Sequence, residues 1–297
     1  MIKAFSVLDE KLKKDINELV SKCLLFDGLE KTLYLENDLN IYVNMKCFFL
    51  YYVDEYLVSV LTMTQIDEKS VEITGYTLPM ERNKGYFIEL LDYAEEELIG
   101  FDIKHITFVV EPNSKAAPFV IEACYARYIK SEYLLAFDLV NQKENTLENN
   151  QVEDISTLYI EKLTDNTKNE SIMLSSEIFE NNMDFSEELI NMAYEDETQE
   201  SFLLYKQERE LIGICNIAYG TATASIFGFG IRKEERGKGY GRFLLQKIIL
   251  KMKEKGISKI LLEVGSQNEA AFKLYQSVGF YIKSQYDYYQ YDIEFWD

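Results

Sequence analysis

The hexapeptide Arg236-Gly237-Lys238-Gly239-Tyr240-Gly241 combines three alternating glycines with two cations, directly ahead of a helix-patterned run. Glycines in such a loop let successive backbone N–H groups turn into one concavity. At a helix N-terminus that concavity gains partial positive charge, so the chemistry it suits is capture of a phosphate or diphosphate. The spacing excludes two common phosphate sites. Gly237-Lys238 is followed by Gly239 and not by Ser or Thr, so this is no Walker loop, and the third glycine comes one place early for the dinucleotide fingerprint G-x-G-x-x-G. Two further glycines, Gly228 and Gly230, interrupt the apolar run that ends at Ile231, and glycine inside a strand marks a bulge or the close approach of another chain or ligand.

The surrounding pattern supplies the elements that must hold this loop. Leu158 to Leu163 reads as a short strand, and 166–180 and 186–196 read as helices. Ser201 to Tyr205, Leu211 to Tyr219 and Ala222 to Ile231 form an antiparallel meander separated by turn residues. Gly241 to Lys255 sets Leu244, Leu245, Ile248, Ile249 and Met252 at helical spacing, and Gly256 ends it. A strand from Lys259 to Val264, a helix from Asn268 to Val278 and an aromatic closing hairpin over Tyr281 to Phe295 follow. The first half repeats this order less sharply, as expected of a duplication: a helix over 10–26, strands Ile41 to Val53, Tyr56 to Gln65 and Val71 to Leu78, and a helix Tyr86 to Ile99. A strand Ile106 to Val110, a helix Ser114 to Arg127 and a strand Glu132 to Leu139 complete it. The polar, Asn-rich stretch 141–152 is the expected linker between domains 1–140 and 153–297.

The loop pattern Arg-x-x-Gly-x-Gly resembles the acyl-CoA loop of the GCN5-related N-acetyltransferase (GNAT) superfamily. Downstream, Leu262-Glu263-Val264, Asn268, Ala271, Leu274-Tyr275 and Gly279-Phe280 resemble that family's second signature in order and spacing. The resemblance implies an α/β fold of two tandem GNAT-like acyl-CoA N-acyltransferase domains, each a mixed, mostly antiparallel sheet flanked by helices. It implies acetyl-CoA as cosubstrate, with no metal. The backbone of Arg236, Gly237, Lys238, Gly239, Tyr240 and Gly241 would hold the diphosphate. Phe229, Gly230 and Ile231 would pair through backbone with the pantetheine arm, and Asn268 would contact it while also capping the helix it starts. Tyr275 would protonate the departing thiolate, a task suited to a phenol with an ordinary pKa of about 10, although Phe272, Tyr275 and Val278 also share a helical face that fits a core role. Glu263 stands where some relatives place the base that deprotonates the amine. A structural carboxylate at a strand end is the competing reading.

In the first half, Arg82 and Gly85 fit the family pattern, but Phe87 puts a ring where the last small residue belongs. That half is expected to be a degenerate copy. His105, the sole histidine, has no motif around it and reads as structural.

A net charge of −20 opposes nucleic-acid binding, which needs clustered Lys and Arg, and agrees with a cationic acceptor, although an acidic surface also serves solubility. The scattered Cys23, Cys47, Cys124 and Cys215 read as reduced thiols, no apolar run is long enough to span a membrane, and a cytoplasmic setting is expected. The expected activity is transfer of acetyl from acetyl-CoA to a primary amine, either a small cationic metabolite or a peptide amino terminus. A silent acyl-CoA binding module would need the same loop, so turnover alone separates the two; oligomeric state is left open.

Overall fold

The computed structural model describes residues 1–139 and 157–293. In chain order the first half forms β1 (Ile2–Phe5), α1 (Glu10–Asp27), β2 (Phe48–Val53), β3 (Tyr56–Asp67), β4 (Ser70–Thr77), α2 (Tyr86–Gly100), β5 (His105–Val110), α3 (Ala117–Ala123) and β6 (Arg127–Asp138). The second forms β7 (Tyr159–Lys162), α4 (Lys168–Phe179), α5 (Met183–Glu195), β8 (Gln199–Lys206), β9 (Glu210–Tyr219), β10 (Thr223–Ile231), α6 (Tyr240–Glu254), β11 (Lys259–Gly265), α7 (Glu269–Val278) and β12 (Tyr281–Asp292). The expected linker 141–152 lies outside the described residues.

The chain divides into two compact units, Met1–Glu132 with Ser284–Asp297, and Tyr133–Lys283. In the first, strands run in the order β1-β2-β3-β4-β5-β12, with β4 and β5 parallel and the other paired strands antiparallel. In the second, the order is β7-β8-β9-β10-β11-β6, with β10 and β11 parallel. Each unit therefore includes a strand drawn from the other half of the sequence: β12 from Ser284 onward serves the first unit, and β6 from Tyr133 onward serves the second.

Local chemistry explains most element boundaries. Asp9 caps α1 by accepting from Leu12 N at 2.7 Å, Gly28 closes it in the left-handed region, and Ile16, Leu19, Val20 and Cys23 make its buried stripe. In the second unit α6 buries Phe243, Leu244, Leu245, Ile248, Ile249 and Met252 against the sheet, each large apolar side chain contributing about 1.5–3 kcal/mol.

Four expectations need correction. The strand expected from Ile41 begins only at Phe48, because side chains bond the preceding backbone in place of a ladder: Asn37 Nδ2 donates to Val43 O (2.9 Å) and Tyr42 N to Gln65 Oε1 (3.2 Å). The helix expected over 114–127 is the short α3, started by Pro118 and ended before Tyr125, whose φ is 51°. The closing hairpin is one strand, β12, since no turn residue breaks 281–292 and β5 pairs with its far end; Phe295 lies outside the described residues. The opening strand β1 was not expected and pairs with β2.

Cys23, Cys47 and Cys215 are buried thiols and Cys124 is half-buried. Burial pushes the Cys23 thiol up to about 11, which keeps it unreactive. His105 Nδ1 sits 2.7 Å from Asp292 Oδ1, joining β5 to β12. Among the described residues no helix is long and apolar enough to cross a membrane.

Candidate active site

The site is built where β10 leaves its neighbour. β10 pairs in parallel with β11 only from Thr223↔Lys259 to Ile226↔Leu262. On its other edge the register with β9 shifts between Phe227 and Gly230, around Gly228 at φ 53°, a conformation that favours glycine. The bulge turns the last residues of β10 away from β11. A cavity of about 520 Å³ opens there, lined by Phe229, Gly230 and Ile231 of β10, by Arg236, Gly237, Gly239 and Gly241 of the loop, and by Asn268, Ala271 and Leu274 at α7. Eight of the ten residues expected to hold the cofactor, Asn268 among them, thus meet at one cavity.

The loop is shaped for anions. Gly237 and Gly239 have φ of 78° and 84°, and Gly239 caps α6 without any side-chain hydrogen bond to the helix. The first-turn N–H groups of α6 consequently face the cavity mouth rather than a protein carboxylate or hydroxyl. Arg236 fixes the loop from beneath: its Nε donates to Ile231 O at 2.9 Å and its guanidinium reaches Ile178 O at 3.4 Å. Lys238 leans the other way, 3.0 Å from Glu235, a buried carboxylate that also meets Lys206 at 2.7 Å; hydrogen bonds from both lysines hold Glu235 below the usual carboxylate range, Lys206 contributing most. Lys238 and Tyr240, expected at the site, are not among the lining residues.

Asn268 lines the cavity and accepts from Ala271 N at 3.2 Å as the cap of α7. Tyr275 is buried, its ring 5.9 Å from those of Phe229 and Phe280, and burial raises its phenol well above the ordinary value, so it keeps its proton at neutral pH. It stands behind Phe229 and does not itself line the cavity. Glu263 is exposed on β11, whereas its neighbours Leu262 and Val264 are buried against α6; strand alternation places its carboxylate on the opposite face. Sequence reasoning missed Ile178 and Phe179 at the end of α4, and Arg242, which all line the cavity. The first two carry no signal beyond ordinary amphipathic helix pattern.

The first unit holds a divided counterpart. Between β4 and β5 the pocket is about 90 Å³, and a separate one of about 320 Å³ lies at the matching loop, lined by Arg82, Gly85 and Phe87. Arg82 Nε donates to Thr77 O at 3.1 Å, matching Arg236, but its guanidinium is clamped to Asp27 by bonds of 3.1 and 2.6 Å. The ring of Phe87 lies over Gly75, where an added Cβ would be 2.5 Å from it. In the second unit the sizes are exchanged, with Gly241 on the helix and Phe229 on the strand.

Residues 168–280 match the Acetyltransferase (GNAT) family. The whole chain shares its fold with two solved structures: a GCN5-related N-acetyltransferase from Sphaerobacter thermophilus (TM-score 0.78, 16% identity, 99% of this chain and 96% of that one) and a tandem GNAT protein from the clavulanic acid biosynthesis pathway (TM-score 0.72, 12% identity, 100% of both chains). The family match thus falls on the second half of the chain, and the fold of the whole chain is the one these two structures share. Among curated relatives, the ribosomal protein bS18 alanine N-acetyltransferase of Haemophilus influenzae is 38% identical over 76 residues, 25% of this chain and 50% of that protein. The Escherichia coli enzyme of the same name is 35% identical over 57 residues, 19% and 38% respectively. The chain thus spans half or less of the curated relatives it matches.

Proposed function

We propose that the second unit is an acetyl-CoA dependent N-acetyltransferase acting on a primary amine. The observation that carries this is the divergence of β10 from β11 beside an uncapped, glycine-lined helix N-terminus, both on one cavity. The fit is direct. N–H groups from Gly237 to Gly241 suit a diphosphate, and the backbone of Phe229 to Ile231 offers a strand edge to the amides of pantetheine. The names of the curated relatives support the amino terminus of a protein, with alanine first, as the acceptor to try before small cationic metabolites.

The chemistry asks three things of the chain. Main-chain N–H groups beside Phe229 to Ile231 stabilise charge that develops on the acetyl oxygen as the amine nitrogen bonds to its carbon. Glu263, directly or through water, accepts the proton the amine gives up, since an alkyl ammonium has a pKa near ~10.4. Tyr275 donates its proton as the carbon–sulfur bond breaks, so that the products are an amide and a free thiol.

Incubation with acetyl-CoA and a panel of alanyl peptides, polyamines and aminoglycosides, reading free thiol, tests the proposal. Release above hydrolysis with one acceptor class is expected; intact CoA binding with no acceptor-dependent release would make the unit a silent module. Tyr275→Phe should leave acetyl-CoA affinity within about twofold and lower kcat by about 10²-fold, and an unchanged kcat would remove Tyr275 from the acid role. Glu263→Gln should flatten the limb of the kcat/KM profile that rises with pH, because the variant has no carboxylate to deprotonate; an unaltered limb would assign proton removal elsewhere.

A further inference from the structure

The face of the second sheet opposite α6 carries two buried polar groups that the reaction above does not use. Asn216 is 6% exposed and its Oδ1 has no hydrogen-bond partner among the described residues; Ser201 is 2% exposed and its Oγ has none among them either. They are neighbours, since β8 and β9 pair Ser201 with Asn216. β9 and β10 then pair Asn216 with Phe227, the residue at which the bulge begins. Phe227 and Glu263 are the residues that follow Ile226↔Leu262, the last pair of β10 and β11, so they stand where the two strands part. Ser201, Asn216 and Phe227 therefore form one row across three strands, with Glu263 beyond the gap. Alternation puts them all on one face, because Cys215, Ile217, Ile226 and Leu262 pack on the α6 side.

The carboxamide is also placed tightly. A Cβ added to Gly228 would lie 2.5 Å from Asn216 Nδ2, so the amide rests on the bulge glycine itself. Leaving a buried acceptor unmatched costs about 1–3 kcal/mol, and an apolar side chain of the same shape would remove that cost. An oxygen kept unmatched beside the point where the strands part fits a ligand that brings an N–H donor.

We propose that Asn216 is the acceptor-binding residue of this enzyme, its Oδ1 accepting an N–H from the attacking amine, with Ser201 beside it. The amine sits beside Asn216, facing the Glu263 carboxylate across the gap that opens between β10 and β11. One hydrogen bond to Asn216 orients the nitrogen lone pair toward the cavity while Glu263 lies on the other side to receive the proton. The inference rests on the N-acetyltransferase reading.

The test uses the full chain and two probes, CoA and a bisubstrate in which the CoA sulfur is joined through an acetyl linker to the α-amine of a short alanyl peptide. Asn216→Ala and the shape-matched Asn216→Leu should keep CoA affinity within about twofold and bind the bisubstrate about tenfold more weakly than the parent protein, the loss of one hydrogen bond. Neither variant should melt below the parent, since each removes an unmatched polar group. Failure of the parent to bind CoA would overturn the acetyltransferase reading, and this assignment with it. Parent binding of CoA, with bisubstrate affinity unmoved by either substitution, would overturn the assignment alone. A lower melting temperature with CoA affinity lost in both variants would make Asn216 structural and overturn it too.

Discussion

Gly239→Glu is expected to abolish the stabilisation that acetyl-CoA gives the protein. At ligand about 100-fold above Kd, binding adds about 2.7 kcal/mol to the folded state, which for a unit of this size raises Tm by roughly 5 °C or more. Gly239 caps α6 at φ 84°, where a side chain costs about 1–2 kcal/mol, and the new carboxylate would stand at the helix N-terminus in the place of the diphosphate. A carboxylate there is favourable to the helix, so the variant folds. Melting curves with and without acetyl-CoA should therefore coincide for the variant and separate for the parent. A full shift in the variant would mean that the diphosphate is held elsewhere.

Arg82→Ala should do the opposite: it should weaken the fold and spare the cofactor. Asp27 has a side chain only 1% exposed, and Arg82 satisfies it through two bonds, leaving Lys115 at 3.9 Å as the remaining cation. Stripping the partner from a buried carboxylate costs about 3–5 kcal/mol, which corresponds to a fall in Tm of roughly 10 °C. Acetyl-CoA affinity measured below that temperature should stay within about twofold. Loss of affinity without loss of stability would assign cofactor binding to the first unit. The arginine that in the second unit props the glycine loop is, in the first, half of a structural ion pair.

Much of the site was legible in the sequence because its work is done by backbone. Glycine at 228, 230, 237, 239 and 241 advertises where main chain must bend or be approached, and the helix pattern after Gly241 fixes the direction of the N–H groups. Phe87 was equally legible as a departure, but its partner Gly75 was not: the exchange of large and small residues with Phe229 and Gly241 shows only once strand and helix are brought together. Asn216 and Ser201 read as polar interruptions of apolar strands, and their meaning depends on pairing register, which local pattern does not specify across three strands. The assignment of β6 and β12 to each other's units is invisible for the same reason, since an aromatic strand carries no address of its neighbour. The clamp between Asp27 and Arg82 joins residues far apart in sequence and leaves no periodic trace.

Calorimetric titration of the full chain with acetyl-CoA and, separately, with acetyl-pantetheine, which lacks the diphosphate, addresses the glycine loop most directly. Saturable binding of acetyl-CoA, at least about 10²-fold tighter than acetyl-pantetheine, is the predicted result. Equal affinity for the two, or no saturable heat with acetyl-CoA, would contradict it.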